Sequence, residues 1–269
     1  MTDRQTLLST FNSLLAPERF TDYGPNGLQV EGKSQIHKIV SGVTASRALI
    51  EAAIVAKADA IFVHHGLFWR GQTGVVTGWM KERLKLLLAS DINLFAYHLP
   101  LDAHPELGNN AQLGQKLGFI TPDAHERGEI THFGDQSLGW LANIEQNITQ
   151  IGQNASKTLQ NPENLQKYLE KTLKRPVANV FIASTAIKNI AWCTGGAQSY
   201  FEAAIAVGAD AFITGEMSEP QAHLARECGV SYFACGHHAT ERYGAPAVAA
   251  HVAEKLGIAH EFIEIDNPA

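Results

Sequence analysis

An internal repeat constrains the fold of this chain more than any other feature of its sequence. The tetrapeptide Glu-Ala-Ala-Ile at 51–54 returns at 202–205, and Ala-Asp-Ala at 58–60 returns at 209–211, so both matches have an offset of 151 residues. A second set of matches, which includes paired His and acidic residues, has an offset of 139 residues. The chain therefore contains two halves of similar sequence, and we expect them to fold in the same way.

Apolar strands alternate with amphipathic helices in both halves. The predicted strands are 38–43, 60–63, 93–97, 189–193, 211–214 and 231–235. The predicted helices are 47–56, 78–89, 110–117, 200–207, 219–228 and 245–256. This alternation is typical of βαβ units, and strands that are apolar on both faces are typical of a parallel sheet covered by helices. The sequence predicts an α/β fold with two duplicated αβ halves, each built on a mostly parallel sheet.

The halves are joined by a stretch of different composition. We assign residues 1–120 to the first α/β half, 121–187 to a polar connector rich in Asn and Gln, and 188–269 to the second half. Inside the connector, Pro162 favours the start of an amphipathic helix that ends near Leu173. A last strand at 261–265 is expected at the edge of the second sheet, and the two halves are expected to form one compact unit.

Histidine and acidic residues follow the predicted strands at three places. They are His64, His65, His98, Asp102, His237 and Glu241, and the last four form two pairs related by the repeat. The carboxyl ends of parallel strands meet at one edge of a sheet, where α/β proteins place their ligands. Imidazole and carboxylate groups suit Zn, Mn, Fe or Ni, and two carboxylates brought together repel each other unless cations lie between them. We therefore predict a site for two divalent metal ions between the halves, at the carboxyl ends of the strands.

Two roles are open for His98. Its repeat partner, His237, shares one face of a predicted helix with an acidic residue, which favours a ligand role for both histidines. Pro100, however, is expected to prevent the same helical spacing between His98 and Asp102. His98 is then either a ligand or a group that donates to a ligand or moves protons, and we assign it a catalytic role.

Other segments near these residues also have alternative roles. Neighbours in a strand face opposite sides, so His64 and His65 can serve one site only if the chain turns directly after them. Glu216 is either a solvated loop acid or a group that contacts a ligand or the substrate, and we assign it a catalytic role. The segment Thr-Gly-Gly at 194–196 is either a tight turn or a phosphate-binding turn. Phe-Trp-Arg at 68–70 either packs in the core with a solvated Arg or contacts a base and a phosphate.

The composition limits the functions that the chain can have. Its 269 residues carry a formal net charge of −6 without a run of Lys or Arg, which argues against electrostatic binding of nucleic acid. The cysteines, at 193, 228 and 235, form no CxxC pair and are typical of buried thiols in a reducing compartment. No apolar run approaches the roughly 18 residues of a membrane span, so we expect a cytoplasmic protein without membrane contact.

The order of the motifs resembles that of a known family. The matching motifs are His64-His65-Gly66-Leu67-Phe68-Trp69, His98-Leu99-Pro100-Leu101-Asp102, Thr194-Gly195-Gly196, Ile213-Thr214-Gly215-Glu216 and Gly236-His237-His238-Ala239-Thr240-Glu241. Over nearly the whole chain they resemble the Nif-three-like family of dinuclear metal-centre hexameric proteins, whose short bacterial members are named GTP cyclohydrolase I type-two homologues. The resemblance implies a toroidal homohexamer, built as a trimer of dimers, with a metal pair in each subunit. It implies metal ligands at His64, His65, Asp102, His237 and Glu241.

These observations lead to two functions of different classes. The first is a metal-dependent hydrolase of a nucleotide-like or other small substrate, since a metal pair can activate water and polarise the group under attack. The family name implies hydrolysis of the guanine ring of GTP. The alternative is a non-enzymatic, ring-shaped scaffold that binds metal or protein partners. A ring that threads nucleic acid is a third hypothesis, and the acidic net charge of −6 argues against it.

Overall fold

The computed structural model of the protein describes residues 1–144, 159–181 and 186–269, and these divide into two compact units. The first unit comprises Met1–Gly108 and Arg242–Asp266, and the second comprises Asn109–Glu241 and Asn267–Ala269. The sequence-based boundaries at 120 and 188 differ from this division, because residues 109–120 belong to the second unit and 242–266 to the first. The described part of the predicted connector also lies in the second unit.

A five-stranded sheet forms the centre of the first unit. Its strands are β2 (Gly27–Val30), β4 (Lys38–Thr44), β5 (Ala60–His65), β6 (Asn93–Ala96) and β13 (Ala259–Phe262), and a separate short pair is formed by β1 (Thr2–Asp3) and β3 (Gln35–Ile36). The strands lie in the order β13-β4-β5-β6-β2, and all neighbours are parallel except β6 and β2. The carboxyl ends of β4, β5 and β6 therefore lie at one edge.

Helices cover both faces of this sheet. They are α1 (Arg4–Leu15), α2 (Arg47–Val55), α3 (Gly78–Ala89), α4 (Leu99–Ala103) and, from later in the chain, α10 (Gly244–Leu256). Because side chains alternate along a strand, Phe62 packs with apolar residues of α1 and α10, whereas Ile61 and Val63 pack with those of α2 and α3. This burial on both faces explains why β5 is apolar throughout instead of alternating.

The last strand, β13, belongs to the first unit, so the prediction that it edges the second sheet was wrong. It pairs in parallel with β4, and Ala259 lies opposite Lys38. The preceding helix, α10, buries Val248 and Val252 in the core of the first unit. Because this helix packs against β4 and ends at Gly257, where φ is +62°, the chain emerges beside the free edge of β4.

A six-stranded sheet forms the centre of the second unit. Its strands are β7 (Thr131–Phe133), β8 (Gly139–Asn143), β9 (Ala178–Phe181), β10 (Asn189–Trp192), β11 (Ala211–Thr214) and β12 (Ser231–Ala234), in the order β7-β8-β10-β11-β12-β9. The three predicted strands, β10 to β12, are parallel neighbours at its centre, and the remaining pairings are antiparallel. Four of the six strands run in one direction. Both sheets are therefore mostly parallel, as the sequence predicts.

The helices of the second unit include the amphipathic helix that was predicted from the connector. They are α5 (Asn109–Lys116), α6 (Pro162–Leu173), α7 (Phe201–Ala206), α8 (Glu219–Cys228) and α9 (His237–Glu241). The side chain of Asn161 caps α6, Pro162 occupies its first turn, and Leu165 and Leu169 are buried. Among the described residues of both units, no helix combines the length and apolar character that crossing a membrane requires.

Candidate metal centre

The end of β5 brings two histidines together in the first unit. The strand ends at His65, and the ring centroids of His64 and His65 lie 4.5 Å apart. The Nδ1 atom of His64 is 3.1 Å from the carbonyl oxygen of Tyr97, and Nδ1 of His65 is 3.1 Å from Oγ1 of Thr44. Each ring is thus held through Nδ1, and the two neighbours face a common region because the strand ends with them.

A third imidazole and a carboxylate complete a cluster in the first unit. Ring nitrogens of His64, His65 and His98 all lie within 4.8 Å of one another. The Nε2 atom of His64 is 3.5 Å from Oδ1 of Asp102. His64 is fully buried and Asp102 is 7% exposed. We call these four residues the histidine cluster, and its donors are of the types that bind divalent transition metals.

Pro100 permits a turn of helix after His98, but His98 itself caps α4 from outside with φ −96° and ψ −100°, so the pair has the hydrogen bond of a helix without fully helical geometry. The backbone N–H of Asp102 donates to the carbonyl oxygen of His98 at 3.2 Å. Pro100 lies in the first turn of the helix, where its missing N–H has no helical partner to lose. The two repeat-related pairs, His98 with Asp102 and His237 with Glu241, thus share the i,i+4 spacing in sequence, but only His237 lies inside its helix.

The loop before β2 supplies partners of His98 that the sequence analysis missed. Asp22 accepts hydrogen bonds from Nδ1 of His98 at 2.7 Å and from the backbone N–H of Leu99 at 2.9 Å. Asn26 accepts from the backbone N–H of His98 at 2.7 Å and donates to Asp22 at 2.9 Å. Burial alone would raise the pKa of Asp22, but the hydrogen bond and charge of His98, with the bond from Asn26, hold this pKa below its ordinary value. The run of turn-forming residues at 22–27 indicates a loop without indicating what it contacts.

Aromatic and basic side chains border His98. The ring of Trp69 is perpendicular to that of His98 with centroids 5.0 Å apart, and Tyr23 meets the same imidazole at 6.0 Å. Arg70 donates to the carbonyl oxygen of Asp22 at 2.7 Å, and its guanidinium carbon lies 5.8 Å from the centroid of the Tyr23 ring. Trp69 thus borders the histidine cluster, Arg70 is exposed and contacts the loop of Asp22, and Phe68 packs against the core.

Two cavities adjoin Phe68 in the first unit. The smaller, of about 10 Å³, is lined in part by His64 and His98 and has room for about one water molecule. The larger, of about 290 Å³, has a mixed lining, in which Val75 and Trp79 are largely exposed and Gln72 and Thr73 are polar. Its volume is near the lower end of the range of small-molecule sites.

Loops at the carboxyl ends of β10 and β11 approach α9 closely in the second unit. The N–H of Gly215 donates to the carbonyl oxygen of Gly195 at 2.9 Å. A Cβ atom at Gly215 would lie 2.6 Å from Cα of His237, so only glycine permits this approach. The N–H of Gly195 donates to Oγ1 of Thr240 at 3.0 Å. Because the protein itself uses this amide, the segment 194–196 is better described as a structural turn than as a phosphate-binding turn.

His237 lies between two carboxylates. Its Nε2 atom is 3.1 Å from Oε2 of Glu241, and its Nδ1 atom is 2.6 Å from Oε1 of Glu216. Burial by itself would lower the pKa of His237, but the hydrogen bonds and charges of Glu241 and Glu216 outweigh burial and raise this pKa to about 9. Glu216 is therefore a partner of His237 rather than only a solvated acid. We call these three residues the His237 group.

The metal-free protein is expected to have His237 titrate near pH 9 instead of 6.5, as measured by NMR of the histidine rings. Since this folded-state pKa is above the unfolded value, protonated His237 contributes stability below pH 6.5 that is lost as the pH rises through about 9. Glu216→Gln should lower the pKa, because it removes one charge and weakens one hydrogen bond. Glu219→Gln is the matched control, since Glu219 contacts His223 instead. An ordinary pKa for His237 in the wild type would contradict the prediction.

Each unit contains donors that fit a divalent metal ion. The Nδ1 atoms of His64 and His98 face oxygen acceptors, so the lone pair of each neutral ring lies on Nε2. Histidines that bind metals usually have their other ring nitrogen hydrogen-bonded in this way. In the His237 group, a Cβ atom at Gly195 would overlap the carboxylate of Glu241, so the glycine leaves that carboxylate room. These His, Asp and Glu residues could therefore hold metal.

Comparison with known protein families agrees with this fold and these motifs. The family described as "Duf34/NIF3 (NGG1p interacting factor 3)" matches residues 2–268. The chain belongs to this family. A relative from Allochromatium vinosum, named "GTP cyclohydrolase 1 type 2 homolog", is 47% identical over 271 residues, which cover 100% of this chain and 98% of the relative. The resemblance found in the sequence is confirmed.

Solved structures support the fold. One titled "Structural genomics, protein ybgI, unknown function" has 42% sequence identity and a TM-score of 0.86, and the match covers 100% of both chains. The structure of TTHA1606 from Thermus thermophilus has 28% identity and a TM-score of 0.81, again over 100% of both chains. The predicted fold class, α/β with mostly parallel sheets, is therefore confirmed.

Proposed function

We propose that the protein is a metal-dependent hydrolase of a small, nucleotide-like substrate, with two divalent ions in each subunit. The proposed ligands are His64, His65, Asp102, His237 and Glu241. The observation that carries the proposal is the histidine cluster, in which three ring nitrogens lie within 4.8 Å of one another. Relatives named "GTP cyclohydrolase 1 type 2 homolog" support a hydrolytic reaction. The resemblance is also the basis for proposing a cytoplasmic, toroidal homohexamer.

The donor set suggests a different role for each of these residues. Bound divalent ions supply electrostatic activation of water and of the group under attack, and these donors suit Zn, Mn, Fe or Ni. The carboxylates of Asp102 and Glu241 offset the positive charge of the ions. The Nε2 atom of His98 accepts a proton from the attacking water and returns it to the leaving group. Glu216 orients His237 through Nδ1.

The surroundings of the histidine cluster favour a substrate with an aromatic part and an anionic part. Phe68 lines both the small cavity beside His64 and the cavity of about 290 Å³, where Phe68 and Trp79 suit a ring system. Trp69 offers a further aromatic surface and Arg70 a positive charge. A nucleotide combines both features, and GTP is the first probe to use.

The test compares wild type with Asp102→Asn after loading with Zn, Mn, Fe or Ni in turn. GTP and a panel of other nucleotides are the substrates, and circular dichroism reports folding. Asp102→Asn is expected to reduce metal-dependent turnover to the background rate, because the amide lacks the negative charge of the carboxylate. Asp91→Asn, at an exposed turn after α3, is the matched control and should keep the wild-type rate.

Two outcomes would contradict the hydrolase proposal. Unchanged turnover in folded Asp102→Asn would exclude this carboxylate from the reaction. A wild type that holds metal and hydrolyses none of the nucleotides would instead favour the ring-shaped metal-binding scaffold. Partner binding that survives ligand substitution would be the positive sign of that second function.

A further inference from the structure

The two histidines that the repeat matches have the same kind of partner in the structure. In the first unit, Nδ1 of His98 is 2.7 Å from a carboxylate oxygen of Asp22. In the second unit, Nδ1 of His237 is 2.6 Å from a carboxylate oxygen of Glu216. Each imidazole therefore has a carboxylate at Nδ1. The Nε2 atom lies on the opposite side of the ring, where that of His237 meets the proposed ligand Glu241.

The two carboxylates occupy positions that the repeat does not match. Glu216 follows β11 and is equivalent to His65 at the offset of 151 residues, whereas Asp22 lies before the repeated segments. The common arrangement is thus built from unrelated parts of the chain. Sequence similarity between the halves does not account for Asp22, whose contact with His98 is therefore a separate feature of the first unit.

Asp22 is placed to act only as an acceptor. Its side chain is 4% exposed. One oxygen accepts from Nδ1 of His98 and from the backbone N–H of Tyr23 at 2.6 Å. The other accepts from the backbone N–H of Leu99 and from Nδ2 of Asn26, both at 2.9 Å. Four donors around an ionised carboxylate leave no proton for it to give, so the proton of the shared hydrogen bond belongs to His98.

We propose that Asp22 is a positioning residue of the metal centre, which keeps the proton of His98 on Nδ1 and so presents the Nε2 lone pair to the other imidazoles of the histidine cluster. The inference rests on the proposed function, since it concerns the same site. It adds a residue outside the ligand set that the family resemblance implies. With the proton on Nε2 instead, an N–H would point toward the region where a cation binds and would oppose binding.

Asp22→Asn tests this role because one amide oxygen cannot replace two carboxylate oxygens. If the oxygen faces Leu99 and Asn26, the amide NH₂ faces Nδ1 of His98 and drives the ring proton to Nε2. Asp59→Asn is the matched control. Asp59 lies in the same unit, its side chain is 10% exposed, and it accepts backbone N–H groups of His37 and Lys38 without contacting the histidine cluster.

The first measurement is the tautomer of His98 in the metal-free full chain, read by ¹⁵N NMR of labelled histidine rings. A His98→Gln variant identifies the signal. We expect wild type and Asp59→Asn to carry the proton on Nδ1, and Asp22→Asn to carry it on Nε2. A wild type with the proton on Nε2 overturns the inference, even if the Asp22 variant does not fold.

The second measurement is the affinity of the full chain for Zn²⁺ alone. Asp22→Asn is expected to bind Zn²⁺ about 10- to 100-fold more weakly than wild type, the range for residues just outside the ligand set, because an N–H at Nε2 of His98 would point toward the cation, while Asp59→Asn binds as wild type does. Equal loss in both variants, or no loss in Asp22→Asn, overturns the positioning role. A wild type that binds no Zn²⁺ overturns the proposed function, and the tautomer measurement, made without metal, separates that failure from a failure of the Asp22–His98 contact.

Discussion

Glu241→Gln is expected to remove bound metal from the protein. Glu241 is 2% exposed, and its Oε2 atom lies 3.1 Å from Nε2 of His237. Gln has nearly the same shape but is neutral and coordinates metal weakly, so affinity should fall by at least about 100-fold. The substitution also removes the group that contributes most to raising the pKa of His237. Metal per chain, measured on protein purified without added metal, should fall from about two ions toward zero.

Glu254→Gln is the matched control for this experiment. Glu254 lies on the exposed side of α10, so the same chemical change occurs away from both clusters and metal content should equal that of wild type. Circular dichroism should show that both variants are folded, since neither changes side-chain volume appreciably. Wild-type metal content in folded Glu241→Gln would remove this residue from the ligand set. A folded wild type that takes up no Zn, Mn, Fe or Ni would remove the metal centre altogether.

The central strands and main helices could be predicted because burial on both faces leaves a strong pattern. The segments 78–89, 162–173 and 219–228 were predicted as helices, and the structure has the same bounds. The edge strand β7 and its neighbour β8 were not predicted. They are three and five residues long, and they depend on pairing with a neighbour rather than on a pattern of their own.

Sequence order alone does not decide which sheet a late strand joins. β13 follows the second half of the repeat, yet it pairs with β4 of the first unit. The deciding interaction is the packing of α10, whose residues Val248 and Val252 are buried beside Phe62. An apolar helix face predicts burial but does not identify the partner, because the hydrophobic effect is not directional.

In the candidate site too, residues that follow a local sequence pattern could be predicted, and a residue that depends on a distant contact could not. His64, His65 and His98 could be found because each follows an apolar strand, and the structure brings them together in one unit. Asp22 could not, since its contact with His98 joins positions 76 residues apart and no pattern in its own loop indicates a partner. At Pro100 the local pattern predicted only part of the geometry: His98 is not helical, yet a proline in the first helical turn is compatible with the hydrogen bond from Asp102 to His98.

Gly195→Ala is expected to displace the carboxylate of Glu241 and weaken metal binding severely. Gly195 has φ +70°, and a Cβ atom built there would overlap Oε1 of Glu241 and lie 3.1 Å from Nε2 of His237. The alanine thus carries two costs: a left-handed backbone of about 1–2 kcal/mol, and movement of two proposed ligands. Affinity for Zn²⁺ should fall at least about 10- to 100-fold, measured by competition with a chelator.

Gly229→Ala separates the two costs, because it has the backbone strain without the collision. Gly229 ends α8 with φ +68°, and no heavy atom lies within 4 Å of the Cβ that alanine would add. Gly229→Ala should therefore lose about 1–2 kcal/mol in the free energy of unfolding, read from urea denaturation of the metal-free protein, and Gly195→Ala should lose more because of its collision with Glu241. Only Gly195→Ala should also lose Zn²⁺.

Two outcomes would contradict this prediction. If the two variants bound Zn²⁺ equally well, the space above Gly195 would have no role in holding metal, and Glu241 could move away without loss of affinity for Zn²⁺. If both lost it equally, metal binding would depend on the general stability of the second unit rather than on the position of this carboxylate.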